Sequence, residues 1–167
     1  MADQPKNFRK IKLSHAEDFY VRKVLKETRL EEVMVRSPIC VFVDDLFHVV
    51  IQKMNEHRIR HIPVVDRTGV LEGIITQRDL FKNNPPHKAE DGSWYYDTAE
   101  ADNLILRHVM TPKPYTLKPE DTLDKAVLAM AQFKYGCIPI VDDKGKVCGI
   151  ITQMDIIFIA ANILVEG

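Results

Sequence analysis

Short apolar runs alternate with amphipathic stretches along this chain, an order typical of mixed helices and strands. Residues 62–65 form an apolar run of strand composition, and a second run at 73–75 follows the turn Asp-Arg-Thr-Gly. Upstream, four apolar residues recur at i, i+3, i+4 and i+7: Phe47, Val50, Ile51 and Met54. That spacing is typical of an amphipathic helix. The pattern therefore predicts a helix and then a β-hairpin, after which Thr76 begins another helix.

The same pattern returns 76 positions later without a gap. The helical stripe recurs as Leu123, Ala126, Val127 and Met130, and the run Gly-Ile-Ile-Thr-Gln occurs at both 73–77 and 149–153. A short strand is predicted in each copy, within 39–43 and 115–117, and Asp45 and Asp121 are predicted to cap the helices that follow. Internal duplication of this kind indicates a repeated structural unit. The sequence predicts an α+β fold of two tandem β-α-β-β-α repeats.

Segments outside the repeats suggest the organisation of the chain. Residues 15–34 and 97–110 are each predicted to be helical and to lead into a repeat, whereas a polar stretch with two prolines separates the copies. The predicted boundaries are an N-terminal extension at 1–28, a first domain at 29–83, an insert at 84–104 and a second domain at 105–167. In the insert, Trp94, Tyr95 and Tyr96 are either anchors of a surface loop or a patch that contacts a partner.

Charge and composition exclude several classes of protein. The 23 Lys and Arg against 24 Asp and Glu leave a formal charge of −1, which argues against nucleic-acid binding through a strongly basic surface. The N-terminus has no signal-peptide core, and the longest apolar run is too short to cross a membrane. The cysteines form no Cys-x-x-Cys pair, which indicates free thiols in a reducing compartment. We expect a cytoplasmic protein that does not enter the membrane.

Catalytic and metal-binding patterns are missing from the sequence. It contains no Gly-x-Ser-x-Gly, phosphate-binding P-loop or Gly-x-Gly-x-x-Gly motif. Its six histidines show no spacing typical of a zinc site. The sequence therefore predicts neither an enzyme nor a structural metal.

The duplicated motif resembles a known family. An apolar residue and Pro-Val-Val-Asp or Pro-Ile-Val-Asp are followed by a turn Gly and then by Gly-Ile-Ile-Thr-Gln-x-Asp, twice in tandem. This arrangement resembles a pair of CBS domains, or Bateman module, over roughly residues 29–165, in the form of a stand-alone prokaryotic CBS protein. The resemblance implies two repeats packed about a pseudo-two-fold axis. It also implies clefts between them that bind AMP, ADP, ATP or another adenosine compound such as S-adenosylmethionine or NAD.

The Thr-x-x-Asp sequences are the candidate ligand site. Thr76 with Asp79, and Thr152 with Asp155, have the spacing of a helix capping box. A carboxylate can also accept both cis hydroxyls of a ribose. The resemblance assigns this ribose contact to the two aspartates, with the threonines supporting the sugar or phosphate. It places the adenine beside two segments: Ile39, Cys40 and Val41, and Tyr115, Thr116 and Leu117.

Cations near the first motif suggest an unequal pair of clefts. The candidate phosphate ligands are Arg58, Arg60, His61, Arg78 and Lys134. Four of these belong to the first copy, and the aligned second copy has only Lys134. We predict that the Asp79 cleft prefers a phosphorylated adenosine and that the Asp155 cleft suits a less charged one. Alternatively, Arg58 and Arg60 are a solvated pair at a helix end.

The C-terminal segment predicts self-association. Residues 156–165 are apolar on nearly every side of a helix, which requires burial on more than one face. We expect a homodimer through Ile156, Ile159 and Ile163. The sequence thus favours a regulatory module that senses adenosine nucleotides and acts on a separate, unidentified protein. The alternative is a structural homodimer that binds no ligand, in which the Thr-x-x-Asp motifs only cap helices.

Overall fold

The two predicted repeats are present in the structure, a computed structural model that describes residues 12, 14–97 and 102–165. The helices it describes are α1 (His15–Glu27), α2 (Leu30–Val33), α3 (Phe47–His57), α4 (Gln77–Asn83), α5 (Leu106–Val109), α6 (Leu123–Phe133) and α7 (Gln153–Val165). The strands it describes are β1 (Val35–Arg36), β2 (Val41–Phe42), β3 (His61–Val65), β4 (Leu71–Thr76), β5 (His87–Lys88), β6 (Trp94–Tyr95), β7 (Thr111–Pro112), β8 (Cys137–Val141) and β9 (Val147–Thr152).

Each repeat follows the predicted order. The first is β2-α3-β3-β4-α4, with β2 parallel to β3 and the β3–β4 hairpin antiparallel. In the second, a single bridge between Leu117 and Ile140 takes the place of the first strand, ahead of α6, β8, β9 and α7. The predicted α+β fold of two tandem β-α-β-β-α repeats is confirmed.

The sheets exchange their edge strands between repeats. Strand β7, which precedes the second repeat, pairs with β4 of the first, so that one sheet has the order β2-β3-β4-β7. Strand β1, which precedes the first repeat, pairs with β9 of the second and gives the order β1-β9-β8. Neither repeat therefore completes its sheet alone.

The hydrophobic cores follow the same exchange. Leu30 of α2, which lies ahead of the first repeat, is fully buried in the core of the second. Leu106 and Met110 lie ahead of the second repeat and are buried in the core of the first. Burial of apolar surface is the main stabilising contribution to folding. The two halves therefore share one folding unit.

The hairpin turns meet across the pseudo-two-fold axis. The amide of Leu71 donates to the carbonyl of Gly145 at 3.0 Å, and the amide of Val147 donates to the carbonyl of Gly69 at 3.1 Å. Both glycines have positive φ, 88° for Gly69 and 76° for Gly145, a conformation that other residues adopt at a cost. The turn glycine is thus needed for the shape of each hairpin and for the contact between hairpins.

Two local predictions differ from the structure. The residues immediately before α3 and α6 are Leu46 and Thr122, and neither side chain caps its helix. Asp45 and Asp121 instead accept from the amides of Phe42 and Lys118, 2.8 Å away in each case, and so close the turn ahead of each helix. Within 97–110, only α5 is helical in the described part, and residues 98–101 lie outside the described residues.

The insert between the repeats contains the β5–β6 hairpin. Trp94 and Tyr95 on β6 are exposed, whereas Tyr96 packs against the first core with its ring 6.3 Å from that of Phe81. One aromatic side chain of the three is thus an anchor, and the other two face outward.

Candidate functional site

Each Thr-x-x-Asp motif is positioned by a hairpin. The β3–β4 register places His61 opposite Thr76, and the β8–β9 register places Cys137 opposite Thr152. The first amide of α4, from Gln77, donates to the carbonyl of Arg60 at 2.9 Å. The first amide of α7, from Gln153, donates to Gly136 at 3.1 Å. Both helices therefore begin directly beside the preceding strand.

Both motifs form complete capping boxes. Asp79 Oδ2 accepts from the amide of Thr76 at 2.8 Å and from its Oγ1 at 2.7 Å, and the amide of Asp79 donates back to Oγ1 at 3.4 Å. Thr152 and Asp155 repeat these contacts at 2.7, 2.8 and 3.3 Å. The capping prediction is correct in both copies.

The capping contacts use only one oxygen of each carboxylate. Within the described part of the chain, no group donates to Oδ1 of Asp79 or of Asp155. Each threonine hydroxyl already donates its proton to the aspartate, so it can only accept from a further group. The aspartate keeps a free acceptor while it caps the helix, and the threonine can accept from a sugar hydroxyl but cannot donate to a phosphate.

One continuous cavity of about 1090 Å³ joins the two predicted clefts. A pocket for a single small ligand typically has about 300–1,000 Å³, so the space is large for one molecule. Eleven of the predicted site residues line it: Thr76, Asp79, Thr152, Asp155, Ile39, Tyr115, Arg58, Arg60, His61, Arg78 and Lys134. The ribose and phosphate candidates thus lie around a common space.

Four residues of the predicted adenine walls lie elsewhere. Val41 and Leu117 are buried in the first and second core, respectively. Cys40 and Thr116 do not line the cavity either, and the thiol of Cys40 lies 3.3 Å from the carbonyl of Pro38. Of these two segments, only Ile39 and Tyr115 line the cavity.

Several cavity residues were not predicted as site residues, among them Lys113, Tyr135 and Cys137. Tyr135 and Cys137 flank Gly136, immediately ahead of the second Ile-Pro strand, where the first copy has Ile59 and His61. Because Ile59 and His61 face the cavity, the alignment of the two copies places Tyr135 and Cys137 there as well. Lys113 aligns with Ser37, and nothing in the sequence marks either residue as part of a site.

The cavity is rich in positive charge. Among its described residues, five basic side chains face two carboxylates: Arg58, Arg60, Arg78, Lys113 and Lys134 against Asp79 and Asp155. Within the described part of the chain, none of the five lies within salt-bridge distance of a carboxylate. Unpaired cations around a concave surface attract anions.

Burial changes two titratable groups of the cavity. Burial, with a further contribution from Arg60, lowers the pKa of His61, and nearby Asp79 acts in the opposite direction. Burial raises the pKa of Cys137 to about 12. Near neutral pH His61 is therefore mainly the neutral imidazole, and Cys137 is a protonated thiol.

Helix α7 presents a face different from the predicted one. Ile156 and Ile159 are partly buried against the second core, whereas Ile163 is exposed. Ile157 and Phe158 are exposed as well, at 55% and 60%. Two of the three residues predicted to form an interface thus pack within their own chain.

Two further features are absent from the described residues. No cluster of His, Cys, Asp and Glu side chains there could hold a metal ion. No helix there has both the length and the apolar character needed to cross a bilayer.

Comparison with known proteins agrees with this geometry. An inosine-5′-monophosphate dehydrogenase from Korarchaeum cryptofilum is 30% identical over 130 residues, which cover 78% of this chain but 24% of that protein. The crystal structure of a putative acetoin utilization protein (AcuB) from Vibrio cholerae is 29% identical, with a TM-score of 0.67, and the match covers 81% of this chain and 92% of that one.

A second structural relative has bound ligands. The CBS domain pair of protein MJ0100, in complex with 5′-methylthioadenosine and S-adenosyl-L-methionine, is 26% identical with a TM-score of 0.64, and the match covers 79% of this chain and 98% of that one. The CBS domain family itself matches residues 30–84 and 106–162. This chain therefore belongs to the CBS domain family and contains a tandem pair of CBS domains.

Proposed function

We propose that this protein is a regulatory module that binds adenosine-containing ligands in the cavity between its two repeats. The observation that carries the proposal is the Oδ1 atom of Asp79 and of Asp155, each without a donor among the described residues, in a cavity with five cations that have no carboxylate partner there. The ligands of the MJ0100 domain pair, both adenosine compounds, support the same class of ligand.

The position and hydrogen bonding of the two aspartates favour contact with a ribose. Each carboxylate lies in the first turn of a helix, beside the partial positive charge of the helix N-terminus. Its free oxygen accepts a hydroxyl of the ribose, and the hydroxyl oxygen of Thr76 or Thr152 accepts a second hydrogen bond. The capping box holds both groups in place before the ligand arrives, which lowers the entropic cost of binding.

Phosphate recognition falls mainly to the first repeat. Its three arginines, Arg58, Arg60 and Arg78, align with Lys134, Gly136 and Met154 of the second. A guanidinium donates two parallel hydrogen bonds to a phosphate, whereas an ammonium acts as a point charge. The Asp79 half therefore prefers AMP, ADP or ATP, and the Asp155 half takes a less charged adenosine compound such as S-adenosylmethionine. NAD, with two phosphates, remains a candidate for the first half.

The output passes to a separate protein, and the module itself catalyses no reaction. We infer a homodimer formed through the exposed face of α7, at Ile157, Phe158 and Ile163. Ile157 also lines the cavity, so ligand and partner subunit would contact the same helix. A ligand that binds two dimer arrangements with different affinity would shift their populations.

Titration calorimetry with adenosine, AMP, ATP, NAD and S-adenosylmethionine tests the proposal. We expect AMP and ATP to bind, Asp79→Ala to weaken them more than Asp155→Ala, and 2′,3′-dideoxy-AMP to bind poorly. Asp91→Ala, in the exposed β5–β6 turn, is the matched control and is expected to bind as the wild type does. Equal losses of AMP and ATP affinity in Asp79→Ala and Asp155→Ala would contradict the proposal that the two halves of the cavity prefer different ligands.

The alternative is a structural homodimer without a ligand. The observation in its favour is that both Thr-x-x-Asp motifs satisfy their capping hydrogen bonds without any ligand. A bound ligand at 100 times its dissociation constant stabilises the folded state by about 2.7 kcal/mol. If millimolar adenosine compounds cause neither heat of binding nor a change in the melting temperature, the ligand-binding function is wrong and this alternative stands.

A further inference from the structure

Three aromatic rings form a stack, and two of them line the cavity. The ring of Tyr115 lies 5.6 Å from that of Tyr135 with 21° between their planes, and Tyr135 lies 5.4 Å from Phe133 at 29°. Tyr115 and Tyr135 line the cavity, and Tyr115 is 42% exposed. Tyr115 therefore stacks on its neighbour while part of its side chain stays exposed at the cavity.

This stack belongs to the half of the cavity that contains Asp155. Tyr135 precedes Gly136, whose carbonyl accepts the first amide of α7, and the Tyr135 carbonyl accepts from the side chain of Gln153 at 3.1 Å. Asp155 lies two residues beyond Gln153 in the first turn of that helix. The Asp155 oxygen that would bind a sugar and the stacked rings therefore both lie near the start of α7.

The first half of the cavity has no equivalent. The residues aligned with Tyr115, Tyr135 and Phe133 are Ile39, Ile59 and His57. Ile39 and Ile59 line the cavity and offer aliphatic contact without a π-face. Two repeats with identical Thr-x-x-Asp motifs therefore differ in the surface that would meet a base.

We propose that Tyr115 is a base-stacking residue that makes the Asp155 half selective for a purine nucleoside with little or no phosphate. The inference rests on the proposed function and specifies the ligand class of one half. Tyr135 acts as a positioning residue because its ring stacks on that of Tyr115, and Phe133 in turn stacks on Tyr135. Met154 and Cys137 stand where the first half has Arg78 and His61, so that the cations of this half are the lysines Lys113 and Lys134 rather than arginines.

Stacking is large enough to determine selectivity. An aromatic side chain stacked on a base contributes about 1–3 kcal/mol, which corresponds to a change of roughly 5- to 150-fold in the dissociation constant. Aliphatic contact with Ile39 lacks the π-face on which a base stacks. A nucleoside without phosphates would therefore bind preferentially beside Tyr115.

The test uses adenosine and the Asp79→Ala background, in which the first half is disabled. Tyr115→Ile introduces the residue of the first copy and is expected to weaken adenosine binding by roughly 5- to 150-fold. Tyr115→Phe keeps the ring and is expected to bind within about 2-fold of the parent, since stacking does not need the hydroxyl. Tyr95→Ile, in the exposed hairpin, controls for loss of a tyrosine.

Two further measurements separate stacking from general damage. Urea unfolding of Tyr115→Ile is expected to give a stability close to that of Tyr115→Phe, and D-ribose, which has no base, is expected to show no difference between them. If the Asp79→Ala protein binds adenosine and Tyr115→Ile binds it as tightly as Tyr115→Phe does, the stacking role of Tyr115 is wrong and the proposed function survives. If the wild type binds no adenosine compound at all, both proposals fail.

Discussion

The side chain of Met34 packs directly on the backbone of Gly149. A Cβ at position 149 would lie 2.3 Å from the sulfur of Met34 and 2.9 Å from its Cγ. Met110 has the same relationship to Gly73, at 2.4 Å from the sulfur. Each methionine precedes one repeat and fills the space left by a glycine of the other, which explains why the Gly-Ile-Ile-Thr sequence begins with glycine in both copies.

Substitution of these glycines is expected to destabilise the protein through overpacking. Gly149→Ala and Gly73→Ala should each lower the free energy of unfolding by about 1–3 kcal/mol, measured by urea denaturation. At Gly149 the three nearest atoms all belong to the Met34 side chain, so the Gly149→Ala, Met34→Ala double variant should lose less stability than the sum of the two single losses. At Gly73 the backbone oxygen of Thr111, at 2.9 Å, also obstructs, and the Gly73→Ala, Met110→Ala pair should depart less from additivity.

The matched controls are the crossed pairs. The stability losses of Met110→Ala and Gly149→Ala should add, and so should those of Met34→Ala and Gly73→Ala, because neither methionine is among the nearest atoms of the other glycine. Additive losses in all four double variants would show that the contacts between repeats are absent in solution.

The threonine caps contribute to stability independently of any ligand. Thr76→Ala removes the hydroxyl that contacts Asp79 and should lower the free energy of unfolding by about 1 kcal/mol. Thr76→Ser keeps the hydroxyl and should lower it by less than half as much. Thermal and urea unfolding without nucleotide provide the comparison, and equal losses in the two variants would contradict the capping role.

The thiol of Cys137 should react slowly. Its pKa of about 12, against an ordinary value of 9.0, lowers the thiolate fraction at pH 8 about a thousand-fold. In a Cys40→Ser, Cys148→Ser variant, the rate of reaction with a disulfide reagent should rise about tenfold per pH unit from pH 7 to 10. The same variant unfolded in urea is the control. A rate that levels off near pH 9 in the folded protein would contradict the raised pKa.

Stability should depend on the protonation of His61. Burial lowers its folded pKa below 6.5, so between that lowered value and 6.5 the unfolded chain binds more protons than the folded one. The contribution of His61 is therefore complete above pH 6.5 and is lost as the pH falls. The difference in free energy of unfolding between the wild type and His61→Asn should shrink from pH 7.5 to pH 5.5. A difference that stays constant with pH would exclude this linkage.

Self-association should depend on the exposed face of α7. Phe158→Glu places a charge in the inferred interface and should convert the dimer into a monomer at micromolar concentration, measured by light scattering. Phe81→Glu, on the exposed surface of α4, is the comparison that tests whether α4 takes part. A wild-type protein that is already monomeric at these concentrations would refute the homodimer.

Local patterns of the sequence were sufficient for much of the fold. The stripe from Phe47 to Met54, the Ile-Pro strands and the two Thr-x-x-Asp caps were predicted correctly. Each depends on residues within a few positions of one another, where periodicity and capping preferences apply directly. The caps of α3 and α6 were predicted wrongly because an aspartate can equally close a turn one residue earlier.

The candidate site could be predicted only in part from the sequence. The gapless alignment paired Asp79 with Asp155 and located the arginines of the first half, and all of these residues line the cavity. Tyr135 and Lys113 were missed, since neither belongs to a motif, and four predicted wall residues do not line the cavity. Whether a residue faces a cavity depends on the direction of its side chain, which a short irregular segment does not reveal.

The sequence alone determined that the chain contains two copies of one unit, the order of helices and strands in each copy, and the capped aspartate at the start of each closing helix. Only the tertiary structure decided that β1 and β7 complete the sheets of opposite repeats, that Met34 packs on Gly149, and that the two clefts form one cavity with an aromatic wall on one side. The first set depends on hydrogen bonds and periodicities within short segments. The second depends on contacts between residues far apart in the chain, whose partners are selected by shape when both halves pack together.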